Sequence, residues 1–413
     1  MIVGIDFGTS NSACSVRLDS GDIRPVILQP DSLSPYLLPS YWYFPEGSMV
    51  PVVGQKAKEM FVESGHEGRF ILSLKSHLSN TELKVVTING KAISLEMIVS
   101  FILKRIRISV EEQFGKITSV YAGRPVVLSE DRSIDQKIED RLREAYRLAG
   151  YQDPIFVLEP VAAAYAYKQH LKKAETVFIC DFGGGTLDYC LAMLEPRDSC
   201  KKDVILGTKG VRIGGDDVTG SLMRLFWNFF GYSSQVRDFT REKWLPFPTS
   251  VFSMLSNWKN IWRLQGTARK IKGHIHWGSS DPDALKRLMA LIEPENYFEF
   301  LSELERVKIL LSSQKEANFS FQNKPIEIER VITRLEFESV TANLMKQAEA
   351  EIFEVFKGAH TALKDVKTVF LTGGSSQIPA FQKIIEKNFG KEGIQKGEIF
   401  TSVANGLSAY QLS

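Results

Sequence analysis

The chain has 413 residues, more than one hydrophobic core usually organises, which favours two or three lobes. Hydrophobic residues make up 44% and charged residues 24% of the sequence, proportions that exclude a disordered chain. The formal net charge is +2 and no dense run of Lys and Arg is present, so the composition does not favour partners such as nucleic acid or an acidic membrane.

An internal repeat dominates the predicted elements. A strand over residues 2–5 leads into the turn DFGTS at residues 6–10 and then into a second alternating run. The same order returns at the turn DFGGGT, residues 181–186, between strands over 177–180 and 187–193. Two strand–turn–strand units of this kind predict two similar lobes, each built around a hairpin.

The chain between the two hairpins alternates strand and helix patterns. An irregular, Pro-rich stretch is expected over residues 25–51. Helices are predicted over 95–114 and 133–149, with a strand over 119–127 between them, and a third helix over 159–171. This alternation is typical of an α/β fold.

Residues 231–300 have a different composition, rich in Trp, Phe and Pro, and we interpret them as mixed helix and loop inserted into the second lobe. The tryptophans in this insertion are Trp244, Trp258, Trp262 and Trp277. His274 and His276 predict a strand with both rings on one face, since no third ligand follows at a metal-site spacing. The alternatives for the aromatics are a buried subdomain core and a docking surface.

The final segment returns to alternating elements. We predict a long helix over 331–357, a buried strand over 366–371, a sharp turn at Gly373 and Gly374, and helices over 379–389 and 401–412.

Both turns of the repeat carry residues suited to holding phosphate. Glycine allows backbone N–H groups to approach an anion closely, and hydroxyls add donors. A single glycine-rich turn would be an ordinary hairpin, but two, each preceded by Asp, indicate paired phosphate loops. The residues concerned are Gly8, Thr9, Ser10 and Asn11 in the first turn, and Gly183, Gly184, Gly185 and Thr186 in the second.

The aspartates beside these turns indicate a cation. Asp6, Asp181 and Asp188 would lie beside a polyphosphate, and carboxylates repel phosphate unless a cation lies between them. We expect Mg²⁺, held mostly through water by Asp6, Asp181 and Glu159. The alternative is that these are turn aspartates that satisfy their own backbone.

Six motifs, in order along nearly the whole chain, resemble those of the Hsp70 family within the actin/Hsp70 ATPase superfamily. They are residues 4–12 (GIDFGTSNS), 159–167 (EPVAAAYAY), 177–188 (VFICDFGGGTLD), 213–217 (IGGDD), 305–313 (ERVKILLSS) and 370–375 (FLTGGS). The resemblance implies an α/β, two-lobed actin-like ATPase fold, with duplicated ribonuclease-H-like lobes and nucleotide in the interlobe cleft. Lobe I would span residues 1–174 and lobe II residues 175–413, with the insertion at about 231–300 and the final helix returning to lobe I.

The resemblance also implies roles for single residues. Lys75 matches the lysine that contacts the γ-phosphate and the attacking water, and Thr186 and Asp188 match the residues that orient this water. Glu159 and Asp181 complete the implied catalytic set. Nucleoside contacts are implied for Gly214, Gly215, Glu305, Lys308, Ser312, Gly373, Gly374, Ser375 and Gln377, the last standing where the family has an arginine that stacks on adenine.

We therefore expect a slow, Mg²⁺-dependent ATPase of the chaperone class that binds ATP and ADP, with K⁺ as a further candidate ion. The sequence stops at Ser413 without the family's peptide-binding sandwich, so it resembles the short Hsp70-like bacterial proteins of the YegD type. Client or regulatory proteins would then bind through lobe II. The open alternatives are an actin-like ATP-dependent scaffold or filament protein, a small-molecule kinase, and a nucleotide-binding protein without catalysis.

The N-terminal sequence and the cysteines indicate the cellular compartment to expect. The chain begins directly with a strand instead of the basic and apolar segments of a signal peptide, and no apolar run reaches the ~18 residues of a membrane helix. The cysteines Cys14, Cys180, Cys190 and Cys200 lack zinc-site spacing. We expect a cytoplasmic protein with reduced thiols.

Overall fold

The computed structural model describes residues 1–80, 83–129, 131–197, 199–238, 242–257, 261–398 and 400–410. The chain forms two compact units. The first consists of Met1–Gly214, Ala348–Ser376 and Phe381–Ser413, and the second of Gly215–Gln347 and Gln377–Ala380. The predicted lobe boundary at residue 174 falls inside the first unit and stays a prediction.

The described elements alternate between strand and helix. The strands are β1 (Ile2–Phe7), β2 (Asn11–Arg17), β3 (Ile23–Pro25), β4 (Leu37–Pro39), β5 (Tyr41–Phe44), β6 (Val52–Val53), β7 (Arg69–Leu72), β8 (Val85–Ile88), β9 (Lys91–Ser94), β10 (Ser119–Arg124), β11 (Ile155–Leu158), β12 (Glu175–Phe182), β13 (Leu187–Leu194), β14 (Val204–Val211), β15 (Gln235–Asp238), β16 (Lys243–Pro246), β17 (Glu316–Asn323), β18 (Ile326–Thr333), β19 (Thr368–Thr372) and β20 (Ile394–Lys396). The helices are α1 (Gln55–Glu63), α2 (Leu95–Phe114), α3 (Arg132–Leu148), α4 (Glu159–Lys168), α5 (Gly215–Leu222), α6 (Ser250–Leu255), α7 (Ile261–Trp277), α8 (Pro282–Leu291), α9 (Pro294–Ser313), α10 (Arg334–Phe356), α11 (Pro379–Phe389) and α12 (Ser402–Ala409).

Two sheets of the first unit repeat one topology. In the first, the order β11-β10-β1-β2-β3 combines the antiparallel hairpin β1–β2 with the parallel strands β10 and β11. In the second, the order β20-β19-β12-β13-β14 combines the antiparallel hairpin β12–β13 with the parallel strands β19 and β20. The internal repeat of the sequence is therefore a structural repeat, and the predicted α/β fold with two similar sheets is confirmed.

Burial explains why these segments form strands and not surface loops. In β12, the seven residues from Thr176 to Phe182 are all buried, as expected for a strand covered on both faces. The helix α2 matches its predicted bounds; the Ser94 side chain accepts a hydrogen bond from the Met97 N–H, and Gly115, at φ 88°, follows the last turn.

The last helix packs on the first sheet. A Cβ at Gly4 in β1 would lie 2.5 Å from the Ala404 carbonyl oxygen in α12, and Gly406 in α12 lies against the Ala162 carbonyl of α4. Glycine at these two positions lets α12 approach both the strand and the helix, so the end of the chain lies beside its beginning.

The second unit has an aromatic core of its own. Phe226, Phe300 and Phe319 contact one another with ring centroids 4.5–5.3 Å apart. These rings join α9, the β17–β18 hairpin and the turn after α5 into one cluster. None of the helices in the described part of the chain is long and apolar enough to cross a bilayer.

The predictions for two elements of the second unit were wrong. His274 and His276 lie in α7 and not in a strand, because the buried positions Leu264 and Ile271 are seven residues apart and set a helical period. Residues 331–333, predicted as helix, belong to β18, because pairing with β17 continues to Thr333. The Glu336 carboxylate accepts a hydrogen bond from the Thr333 N–H, and α10 begins at the next residue, Arg334.

The Pro-rich stretch over residues 25–51 is also less irregular than predicted. It contains β4 and β5, and β5 pairs with β7, with Trp42 opposite Ile71. The apolar run around Trp42 is buried, and this burial, rather than a regular alternation, makes it a strand.

Candidate functional site

The first phosphate turn is a tight connection between β1 and β2. The Ser40 hydroxyl donates a hydrogen bond to the Gly8 carbonyl at 2.9 Å. A Cβ at Gly8 would overlap the Asn11 carbonyl, so this turn has no room for a side chain at position 8.

The second phosphate turn lies directly against the first. Added Cβ atoms would overlap the Ser10 hydroxyl at Gly184 and the Thr9 hydroxyl at Gly185. Likewise, a Cβ at Gly214 would overlap the Gly184 carbonyl. The structure thus brings together the two predicted phosphate turns, which are far apart in sequence, and only glycine allows this approach.

Charged side chains converge next to these turns. The Lys75 Nζ lies 2.7 Å from the Glu159 Oε1, and both side chains are nearly buried, at 8% and 10% exposure. Asp6 follows Ile5 near the end of β1, and Asp181 and Asp188 are cross-strand partners in the β12–β13 hairpin. These five residues form one electrostatic cluster, since each carboxylate interacts with Lys75.

Ionising the acids of this cluster costs free energy, because the carboxylates are close to one another and removed from water. Burial and the Glu159 charge raise the pKa of Asp6 and of Asp188 to about 7, with Lys75 acting in the opposite direction. Burial and the three neighbouring carboxylates hold the pKa of Asp181 well above its usual range. Burial lowers the pKa of Lys75, but Glu159 and Asp6 outweigh it and raise the value. The cluster therefore favours a bound positive charge.

One carboxylate oxygen of this cluster is left open. The Asp188 Oδ1 accepts a hydrogen bond from the Val126 N–H at 2.8 Å, and the neighbouring Thr186 side chain acts to lower the pKa of this carboxyl group. The Asp188 Oδ2 is buried and has no hydrogen-bond partner among the residues that the structure describes. A buried acceptor without a donor costs free energy, so it suits a water or ligand that donates to it.

The carboxylates suit Mg²⁺ held through water better than a metal bound directly. Among the described residues, no group of three or more His, Cys, Asp or Glu is close enough to hold a metal ion by itself. Mg²⁺ usually keeps several waters and takes one or two carboxylates together with substrate phosphates. The separate carboxylates Asp6, Glu159 and Asp181 fit this mode.

The predicted nucleoside turn lies next to the second phosphate turn. The Ser375 hydroxyl donates to the Gly183 carbonyl at 3.0 Å. Gly373 has φ 78°, and a Cβ there would lie 2.9 Å from the Asp181 Oδ1. Glycine is needed at this position for both its backbone conformation and its proximity to Asp181.

A second group of predicted residues comes together within the second unit. The Glu305 carboxylate accepts from the Thr219 hydroxyl at 2.5 Å and pairs with Lys308 at 2.6 Å. Lys308 is buried and also donates to the Gly215 carbonyl at 3.2 Å. Ser312, also predicted to contact nucleoside, lies one turn after Lys308, and Gln377 is an exposed residue assigned to the second unit.

A comparison with known families identifies the origin of this arrangement. The family described as "Hsp70 protein" matches residues 2–245 and 292–410, most of the chain. The chain belongs to the Hsp70 family. Residues 246–291, which the Hsp70 match passes over, lie inside the aromatic-rich insertion predicted over 231–300.

Two curated relatives are similar over the same length. The chain is 28% identical to "Chaperone protein DnaK" of Mycoplasmopsis synoviae (strain 53), over 95% of this chain and 55% of that protein. It is 27% identical to "Chaperone protein DnaK" of Metamycoplasma hominis, again over 95% of this chain and 55% of that protein. The chain thus spans about half the length of these relatives.

Sequence reasoning missed two residues of this Hsp70 site. A Cβ at Gly123 in β10 would lie 3.2 Å from the Glu159 Cγ, so this glycine makes room for the ion pair with Lys75. A glycine inside a strand is itself a signal of close approach. The Val126 N–H, the donor to Asp188, could not be found from sequence because it is a backbone group.

Proposed function

We propose that this chain binds Mg²⁺–ATP and hydrolyses it slowly to ADP and phosphate, as an Hsp70-type nucleotide switch. The observation that carries the proposal is the cluster of Asp6, Lys75, Glu159, Asp181 and Asp188 beside two interlocked glycine turns. A site for phosphate alone would not need four carboxylates, three of them buried, whereas a site for phosphate with a divalent cation does.

Each residue has a role that its position supports. The N–H groups and hydroxyls of the two turns bind phosphate oxygens. Lys75, held by Glu159, supplies positive charge to the phosphate that is transferred. Asp188 and Thr186 orient the attacking water through the open Oδ2 and the Thr186 hydroxyl.

Bound Mg²⁺ would neutralise phosphate charge, with Asp6, Asp181 and Glu159 as the residues that hold it through water. None of the residues proposed for the site is His or Cys. Water is therefore positioned by a carboxylate and a hydroxyl, and we expect slow turnover, as in a timer.

A nucleotide titration followed by product analysis tests the proposal. ATP, ADP and GTP are titrated with and without Mg²⁺, and the products are separated after incubation. We expect Mg²⁺-dependent binding of ATP and ADP and release of ADP and inorganic phosphate. If ATP does not bind at millimolar concentration with Mg²⁺ present, the proposal is wrong.

We further propose that the insertion contacts client proteins. Two of its described tryptophans are exposed, Trp244 at 49% and Trp277 at 64%, and the Trp244 ring lies 3.9 Å from the position of a Cβ at Gly278. The Trp277 ring packs against Gly273 of the same helix, 3.2 Å from the position of a Cβ there, and exposed aromatics provide large contact area at low entropic cost. Trp258 and the Trp262 side chain lie outside the described residues.

Suppression of aggregation tests this second proposal. A chemically denatured model protein is diluted into buffer containing the chain, and light scattering reports aggregation. We expect suppression by the wild type and its loss in the variant Trp244→Ala/Trp277→Ala. The matched control is Leu33→Ala, which removes a fully exposed apolar side chain elsewhere. Equal suppression by all three proteins would contradict the role of the tryptophans.

A further inference from the structure

An exposed aromatic side chain lies against the predicted nucleoside turn. Phe400 is 46% exposed. A Cβ at Gly374 would lie 3.2 Å from the Phe400 Cε1 and 3.6 Å from its Cζ. Single exposed apolar side chains are common and by themselves indicate nothing, so the argument depends on where this ring lies.

The turn connects this ring to the phosphate cluster within the first unit. Gly373 lies against the Asp181 carboxylate, and the Ser375 hydroxyl bonds to the second phosphate turn. Consecutive Cα atoms are about 3.8 Å apart, so Gly374, against which Phe400 lies, is one residue from the glycine that contacts the Asp181 carboxylate. If phosphates bind beside Asp181, this turn and Phe400 are within reach of the attached nucleoside.

Phe400 lies in the turn that leads into α12. The Ser402 N–H and hydroxyl both donate to the Glu398 carbonyl, at 3.2 Å and 2.5 Å. Since Gly374 has no side chain, the ring can lie directly on the backbone of the turn. Phe400 is therefore a partly exposed aromatic side chain that lies against the backbone of the turn at Gly374.

We propose that Phe400 stacks on the base of the bound nucleotide. This inference rests on the function proposed above and adds a base-positioning residue to it. Gln377, which ends the same short turn, has no aromatic ring, whereas Phe400 offers a planar surface beside Gly374. Every base has a face that can stack on a ring, so this contact adds affinity for the base without selecting one.

Binding of ATP and of inorganic tripolyphosphate, each with Mg²⁺, separates the base contact from the phosphate contacts. We expect Phe400→Ala to weaken ATP binding by about 10- to 100-fold, the usual loss of a base–aromatic stack, and to leave tripolyphosphate binding unchanged. Phe400→Trp should retain ATP affinity, and ATP, but not tripolyphosphate, should quench the added fluorescence.

The matched control is Phe353, a phenylalanine of α10 in the first unit with 43% exposure. Phe353→Ala should bind ATP like the wild type, and added Phe353→Trp fluorescence should not respond to ATP. If Phe400→Ala keeps a wild-type melting temperature and wild-type ATP affinity, the stacking inference is wrong while the proposed function stands. If the wild type binds neither ligand, both fail.

Discussion

Neutralising Asp188 should stabilise the nucleotide-free protein although it removes a proposed catalytic group. Burial and the Glu159 charge raise the Asp188 pKa from its ordinary value of 3.8 to about 7. At about 1.36 kcal/mol per pKa unit, the ionised carboxylate lowers the free energy of unfolding by up to about 4 kcal/mol. Asn keeps the acceptor for the Val126 N–H but places an unpaired amide N–H at the open oxygen, which costs about 1–3 kcal/mol.

The pH dependence identifies the cause of this stabilisation. Because the folded-state pKa lies above the unfolded value, the folded protein binds an extra proton between pH 3.8 and about 7, and stability falls as pH rises through this window. Above it, Asp188→Asn should be more stable than the wild type by about 1–3 kcal/mol. Well below pH 7, protonated Asp188 is nearly isosteric with Asn, and most of the difference should vanish.

Urea unfolding at about pH 8 and about pH 5, without nucleotide or Mg²⁺, measures both differences. Asp31→Asn, which changes an exposed aspartate of the first unit, is the control and should have no effect at either pH. An Asp188→Asn variant that is no more stable than the wild type at the higher pH, or equally stabilised at both, would refute the electrostatic reasoning. The gain in stability should coincide with loss of hydrolysis, the trade-off expected of a functional cluster.

Three further predictions concern the same unit. Lys75→Ala should abolish hydrolysis while nucleotide affinity stays within about tenfold, since one charged contact among several contributes ~1–3 kcal/mol. Single-turnover kinetics measures hydrolysis and calorimetric titration measures affinity, and normal turnover would remove Lys75 from the mechanism. Asp181→Asn should raise the Mg²⁺ concentration needed for ATP binding, seen in titrations at several Mg²⁺ concentrations; an unchanged Mg²⁺ dependence would argue against its role. Gly214→Ala should lower the melting temperature, because its Cβ would overlap the Gly184 carbonyl. Gly266→Ala in α7, where none of the described atoms lies within 4 Å of the Cβ position, should be neutral or slightly stabilising, and equal melting temperatures would contradict the close approach of the turns.

The sequence alone determined the elements whose signals are local. The repeated DFG turns predicted two equivalent hairpins, because alternating apolar runs around a glycine turn have few other ways to pair. The helices α2 and α11 were predicted at their observed bounds, since each combines a helical period with a start or stop signal. The capping pair Thr333 and Glu336 was also present in the sequence and would have placed the start of α10 correctly.

Other features were decided only by tertiary structure. The strand predicted around His274 became part of α7, because burial of Leu264 and Ile271 outweighs a four-residue alternation. The upward pKa shifts of Asp6 and Asp188 arise when residues from distant parts of the chain share one low-dielectric site, and no local pattern encodes such a meeting. Phe400 likewise had no motif, and its place beside Gly374 follows only from the path that the chain takes between β20 and α12. Sequence motifs and the family resemblance thus predicted the candidate site residues, whereas packing determined their charge state and their neighbours.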